Sequence, residues 1–287
     1  MTDNTAAHIF EDVVSPFCGI ASDDLVIEVK GNTVTVKENG DAVTKPGFET
    51  PITDLSPRIK GQDVSFEQAV NHIASLLKSS KQPLISGMAT DLNGARAAMA
   101  VADATRATVD SFYSDNAFKN ILVLQDTGYM TTTLTEVRNR VDLLIVVGSD
   151  IEKGFPRFYE RMVWPQESMF GQDIESREVI YLGKAPSGDA STSPAGKKAA
   201  VLPCDIDDLP EVISVLRALV KGKSVQAETV GGIAVSELAN LAEKIKAAKY
   251  SVLTWSGSEM SMEHAEATIQ NLCEMIKEVN EKTRCNG

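Results

Sequence analysis

Ser15, Cys18 and Ser22 stand at a spacing that can place ligands around a metal cluster. Iron–sulfur clusters take thiolates from one loop at spacings such as C-x2-C-x3-C. In the stretch 15–24, Ser-Pro-Phe-Cys-Gly-Ile-Ala-Ser-Asp-Asp, only Cys18 supplies a thiol. A hydroxyl is a poor ligand for soft iron–sulfur iron. Taken alone, the stretch also reads as a turn of small residues. Gly19 would allow a tight bend, and Asp23 or Asp24 would accept backbone N–H bonds. Asp23 and Asp24 do not make a paired-carboxylate acid–base site, because neighbours on a strand point to opposite faces.

The rest of the reactive inventory is thin. The other cysteines, Cys204, Cys273 and Cys285, form no C-x-x-C pair, and His8, His72 and His264 are isolated. This disfavours zinc and an ordinary cluster. No histidine lies in a recognisable elbow, so no Ser-His-Asp or Cys-His arrangement can be assigned. Three loops could bind a ligand beyond strand ends: 86–91, 148–154 and 256–259. None is a P-loop or carries G-x-G-x-x-G, and small residues before a helix are needed for tight turns in any α/β fold. Asp150 and Glu152 in the second loop would repel phosphate, a charge that Lys153 and Arg157 could offset.

An α/β alternation must position these residues. Residues 1–14 read as a loose arm. A hairpin follows: Leu25, Ile27 and Val29 alternate, Gly31-Asn32 signals the turn, and Val34 and Val36 return. Its apolar face must cover something larger. Residues 39–61, with Pro46, Pro51 and Pro57, read as a surface linker. Ser65 and Gln68 form a capping box for a helix with the stripe Phe66, Val70, Ile73 and Leu77. A short strand at Leu84-Ile85 and an Ala-rich helix capped by Asp91 follow.

The run Leu143-Leu144-Ile145-Val146-Val147 is a strand buried on both faces, as in a parallel sheet. Residues 179–182 form another strand. Residues 184–198 read as a flexible loop. Helices are expected from Asp208 to Gly222, over 235–247 and over 259–282, with a last strand at 250–255. Met262, Ala265, Ile269, Leu272, Ile276 and Val279 make a core stripe. The pattern predicts a doubly wound, mostly parallel α/β fold with a small N-terminal β-hairpin domain. The expected division is 1–61, an α/β lobe over 62–183, a flexible loop over 184–199, and a remaining α/β segment over 200–287.

The chain has 287 residues and a net charge of −12. Acidity without a basic patch disfavours nucleic acid and anionic membranes as partners. Residues 1–14 lack the apolar core of a signal peptide, and no run of about 18 apolar residues occurs. With scattered cysteines, this reads as a cytoplasmic chain.

The stretch 15–24 resembles the Cys-Pro-Phe-Cys-Gly-x-x-Cys-Asp-Asp opening of the formylmethanofuran dehydrogenase B-subunit family. The likeness continues through Pro83-Leu84-Ile85-Ser86-Gly87, Val109-Asp110-Ser111 and the run 123–129. It extends to Thr133-Leu134-Thr135-Glu136-Val137-Arg138-Asn139-Arg140, Pro156-Arg157 and Trp255. The resemblance implies a molybdopterin-oxidoreductase-like fold whose 1–61 segment is a degenerate iron–sulfur domain.

The departures fall on the redox positions. Ser15 and Ser22 replace cluster cysteines, no cysteine between Cys18 and Cys204 can act as the fourth, and Asn116 stands where the family has its metal-ligating cysteine. This pattern resembles the B subunit of the bacterial formyltransferase/hydrolase complex. The resemblance implies a non-catalytic structural subunit in formaldehyde-to-formate C1 metabolism, with no catalytic, cofactor-binding or metal-binding residue of its own. Tetrahydromethanopterin and a methanofuran-type carrier would serve the complex. Its partners would be amidohydrolase-like, formyltransferase and C subunits, with the metal in another subunit. The alternatives are a redox-active subunit that binds molybdopterin or tungstopterin, and a binding module for an anionic small ligand.

Overall fold

The computed structural model describes residues 6–20, 22–51 and 53–287. The chain divides into two units. The first takes residues up to Thr50 with Lys119–Gly287, and the second takes Pro51–Phe118. This division cuts across the expected lobe 62–183. The physical reason is that the strand at 143–147 joins its sheet with strands from the later part of the chain.

The first unit opens with three antiparallel strands, β1 (Ala7–Val13), β2 (Leu25–Lys30) and β3 (Thr33–Glu38), and a short helix α1 (Thr44–Glu49). The expected hairpin register is present, with Val29 opposite Val34 and Ile27 opposite Val36. Residues 7–13, expected to be loose, instead pair along β2. The linker expected over 39–61 contains α1. Phe48 on that helix and Val13 on β1 pack against the cluster of Leu25, Ile27 and Val36, so the unit itself covers the ribbon's apolar face.

The second unit holds a two-residue hairpin, β4 (Arg58–Ile59) and β5 (Gln62–Asp63), then α2 (Phe66–Ser79), β6 (Leu84–Met88), α3 (Leu92–Thr105) and β7 (Thr108–Ser111). β6 and β7 are parallel. The Ser65–Gln68 capping box forms, and Asp91 caps α3 through the Gly94 N–H. The stripe on α2 forms no core here: Phe66, Val70 and Ile73 are exposed, and no residue of the helix is buried. The unit boundary falls within α4 (Ser114–Asp126).

The chain then forms α5 (Leu134–Arg140), β8 (Leu143–Val147), the single turn α6 (Ile151–Gly154), a π-helical turn at Tyr159–Val163 and β9 (Glu178–Gly183). Residues 184–199 contain no helix or strand, but Ser191 and Ser193 within them are buried. Next come β10 (Ala200–Pro203), α7 (Leu209–Val220), the hairpin β11 (Thr229–Val230) and β12 (Ile233–Ala234), α8 (Val235–Ala247), β13 (Tyr250–Thr254), α9 (Ala265–Val279) and β14 (Arg284–Asn286).

These elements build a five-stranded parallel sheet in the order β10-β9-β8-β13-β14. β8 is buried along its whole length. Leu143, Ile145 and Val147 pack towards α7, α8 and α9, while Leu144 and Val146 face Val137, Phe158, Tyr159 and Val163. The expected strands at 143–147, 179–182 and 250–255 and the helices at 208–222 and 235–247 are present. The last helix starts at Ala265 rather than near 259, because 256–264 are turns ending in left-handed His264. Among the described residues, no helix is long and apolar enough to cross a membrane.

Candidate functional site

Around the Cys18 loop, the side chains bond to one another. Ser15, Cys18, Ser22, Asp41 and Thr44 are all buried. The Thr44 hydroxyl donates to Asp41 Oδ2 at 3.0 Å, and the Ser22 hydroxyl donates to the same oxygen at 3.0 Å. Asp41 Oδ1 accepts the N–H groups of Thr44 (2.7 Å) and Val43 (2.8 Å). With the Thr44 proton committed to Asp41, the Ser15 hydroxyl donates to Thr44 Oγ1 at 3.0 Å. Ser15 Oγ also accepts the N–H groups of Cys18 and Phe17, and the Cys18 thiol turns to the Ile20 carbonyl.

Each carboxylate oxygen of Asp41 therefore holds two donors. Burial raises its pKa, but the Thr44 and Val43 N–H bonds and the two hydroxyls outweigh this and hold it below the ordinary carboxylate value. These residues do not fit an iron–sulfur cluster. One thiol is present, and the hydroxyls at the other positions are already used in this hydrogen-bonded knot. Sequence reading finds Ser15, Cys18 and Ser22 but misses Asp41 and Thr44. Asp41 followed by Thr44 at the start of a helix is the available signal, since an aspartate there caps backbone N–H groups.

The adjoining Asp23 and Asp24, expected to cap or turn the backbone, form ion pairs instead. Arg157 grips Asp24 with two nitrogens (2.5 and 3.1 Å) and also bonds Glu160 and the Asn39 carbonyl. Arg161 reaches Asp24 (2.5 Å) and Asp23 (2.7 Å). The hydrogen bond from Arg157 holds the Asp24 carboxyl below its usual range. Arg157 precedes the π-helical turn and Arg161 lies within it, and the Trp164 N–H reaches back five residues to the Tyr159 carbonyl at 2.7 Å. Arg157 is thus committed to this clasp and does not offset the charge of Asp150 and Glu152. Lys153 is exposed.

The loops 148–154 and 256–259 do come together. β9 and β10 lie on one side of β8, and β13 lies on the other, so the chain direction switches beside β8. Beyond the carboxyl ends of such strands lies the crevice where open α/β sheets bind ligands. Two cavities occupy it. One, of about 360 Å³, is lined by Gly148, Gly183, Lys184, Cys204, Asp205 and Glu259 among others. The other, of about 410 Å³, is more apolar, with Ile20, Phe155, Phe158 and Trp255 beside Asp150 and Glu259.

Gly148 shapes this floor. Its φ is +58°, and a Cβ there would come within 2.7 Å of Leu209. The loop after β13 is fixed by Lys119, which donates to the carbonyls of Met260 (2.9 Å) and Gly257 (3.3 Å). It is fixed also by the Ser256 N–H, which donates to Ser149 Oγ (2.8 Å). Burial pushes the Cys204 thiol up to about 11, away from the reactive thiolate form. The loop 86–91 and Asn116 lie in the second unit, Asn116 exposed to no more than an intermediate degree in the first turn of α4. Among the described residues, no group of three or more His, Cys, Asp and Glu side chains is placed to hold a metal ion.

No family model matches the chain. Among curated proteins it is 26% identical, over 96% of its length, to the B subunit of tungsten-containing formylmethanofuran dehydrogenase 2 from Methanococcus maripaludis. It is 25% identical over the same share to the Methanocaldococcus jannaschii protein of that name. These matches span 65% of the relatives' own length. The B subunit of the formyltransferase/hydrolase complex Fhc of Methylorubrum extorquens is 25% identical over 79% of the chain and 57% of that protein.

In fold, the chain resembles a chain of the FhcABCD complex from the same organism, solved with methylofuran. The TM-score is 0.65 at 24% identity, covering 80% of this chain and 59% of that one. It also resembles acetylene hydratase from Pelobacter acetylenicus, with a TM-score of 0.58 at 10% identity, covering 93% of this chain and 43% of that one. The homologues of this chain are B subunits, both of formylmethanofuran dehydrogenases and of a formyltransferase/hydrolase complex.

Proposed function

We propose that this chain is a non-catalytic structural subunit of a formyltransferase/hydrolase complex in cytoplasmic C1 metabolism. The observation that carries the reading is the knot of Ser15, Thr44, Asp41 and Ser22. In a loop resembling a cluster-binding one, the hydroxyls of Ser15 and Ser22 are committed to Thr44 and Asp41, which supports a loop shaped by its own side chains. Asn116 in place of a thiolate points the same way. On this reading the fold is that of a degenerate molybdopterin oxidoreductase. Formyl transfer and hydrolysis belong to the amidohydrolase-like and formyltransferase subunits, served by tetrahydromethanopterin and a methanofuran-type carrier. The Arg157–Asp24 clasp supports a scaffold role, because it stiffens the loop against the sheet unit.

The test is affinity isolation of the tagged chain from its native host, with co-purifying subunits identified by mass and metals by elemental analysis. The expected result is a complex containing the three other subunits, with this chain contributing no iron. About four irons per chain would favour the redox reading. Recovery of the chain alone would count against the assembly.

A further inference from the structure

The geometry of the crevice points to Glu259 as a built-in plug: we propose that its carboxylate occupies the place of a ligand phosphate and closes the crevice to anionic nucleotides. Doubly wound sheets bind nucleotide-bearing ligands beyond their strand ends at such a switch point, and the residues present here do not fit one. Two donors face the crevice from the ends of adjacent strands, the Asp150 N–H beyond β8 and Lys184 beyond β9, and Glu259 reaches them from beyond β13. Glu259 takes both. Its Oε1 accepts the Asp150 N–H at 3.0 Å, and its Oε2 accepts from Lys184 Nζ at 2.5 Å.

Three further observations give this contact its meaning. Glu259 and Ser258 line both cavities, so the side chain stands where the two meet. The loop that carries Glu259 is held by Lys119 and Ser149, and the plug is therefore placed by fixed groups rather than by a free side chain. Asp205 lines the same cavity as Lys184, so a phosphate entering it would meet two carboxylates and a lysine already paired. Like charges at this range repel, and the pairing with Glu259 raises the pKa of Lys184, which keeps it charged and committed. The inference does not depend on assembly with other subunits.

Titration calorimetry with inorganic pyrophosphate at low ionic strength tests it on the full chain. The native protein should show no binding at millimolar pyrophosphate. Glu259→Gln should bind at least about tenfold more tightly, a gain of about 1.4 kcal/mol. Adding Lys184→Met to that variant should abolish the gain. A native affinity equal to that of Glu259→Gln overturns the proposal, as does a folded Glu259→Gln that gains nothing or a gain that survives Lys184→Met.

A second measurement leaves Glu259 in place. In the native chain with 13C-dimethylated lysines, the Lys184 resonance, assigned by its loss in Lys184→Arg, should not move with added pyrophosphate. A saturable shift of that resonance would overturn the plug.

Discussion

Thr44 carries no charge, yet its hydroxyl joins the two halves of the knot. It accepts from Ser15 and donates to Asp41. Thr44→Val keeps the shape and removes both bonds, so it should cost about 1–3 kcal/mol in urea unfolding. Thr44→Ser should cost much less.

Cys18 contributes only a weak bond to the Ile20 carbonyl. If the proposed function holds, Cys18→Ala should leave formyl transfer and formate release unchanged in a complex reconstituted with the proposed partners. Loss of turnover with assembly intact would show that this thiol belongs to a working site.

Asp41 and Asp24 have folded pKa values held below the ordinary 3.8. Their contribution is therefore complete above that value and is lost as pH falls through the lower folded values. Asp41→Asn should lower stability at neutral pH and flatten the acid-induced loss, measured as thermal midpoints from pH 7 downwards.

At the scale of elements, two glycines mark close approaches. A methyl at Gly148 would meet Leu209 at 2.7 Å in a left-handed backbone, and Gly148→Ala should cost about 1–3 kcal/mol. Gly19, expected to need its small size for a tight bend, has space among the described residues: a Cβ there would stand 4.0 Å from the Phe155 ring, and its substitution is tolerable. A tight place near this loop is Gly47 on α1, where a Cβ would come within 2.3 Å of the Phe17 ring.

The sheet was legible because β8, β9 and β13 are runs of buried apolar residues, and because Ser65, Asp91 and Gly222 punctuate the helices. β1, β10 and β14 were not legible. They are short or mostly exposed, and their strand character comes from pairing with neighbours rather than from their own sequence. The Cys18 loop was legible as a departure from a cluster motif, but its hydrogen-bond acceptor was not. Asp41 and Thr44 lie beyond a hairpin, and their contact with Ser15 and Ser22 depends on how that hairpin folds back.

Across the whole molecule, apolar side chains remain in water. Phe66, Val70 and Ile73 on α2, Leu92 and Met99 on α3, and Leu124 on α4 are exposed. Groups of this kind mark surfaces that associate. The isolated chain should bind a hydrophobic dye, and the subunits proposed as its partners should suppress that fluorescence. An isolated monomer without dye binding would count against this expectation.

The order of strands also imposes a timetable. β8 sits at the centre of the sheet, but its β13 neighbour is encoded far downstream, with Leu143 opposite Ser251. A ribosome adding roughly 5–20 residues per second needs on the order of ten seconds to cover that interval. Throughout it, the most apolar strand of the nascent chain has at least one bare edge, both of them until β9 is made, and non-local pairing of this kind closes slowly. The five-residue run that makes the finished sheet secure is therefore the segment most exposed to mispairing while the protein is being made.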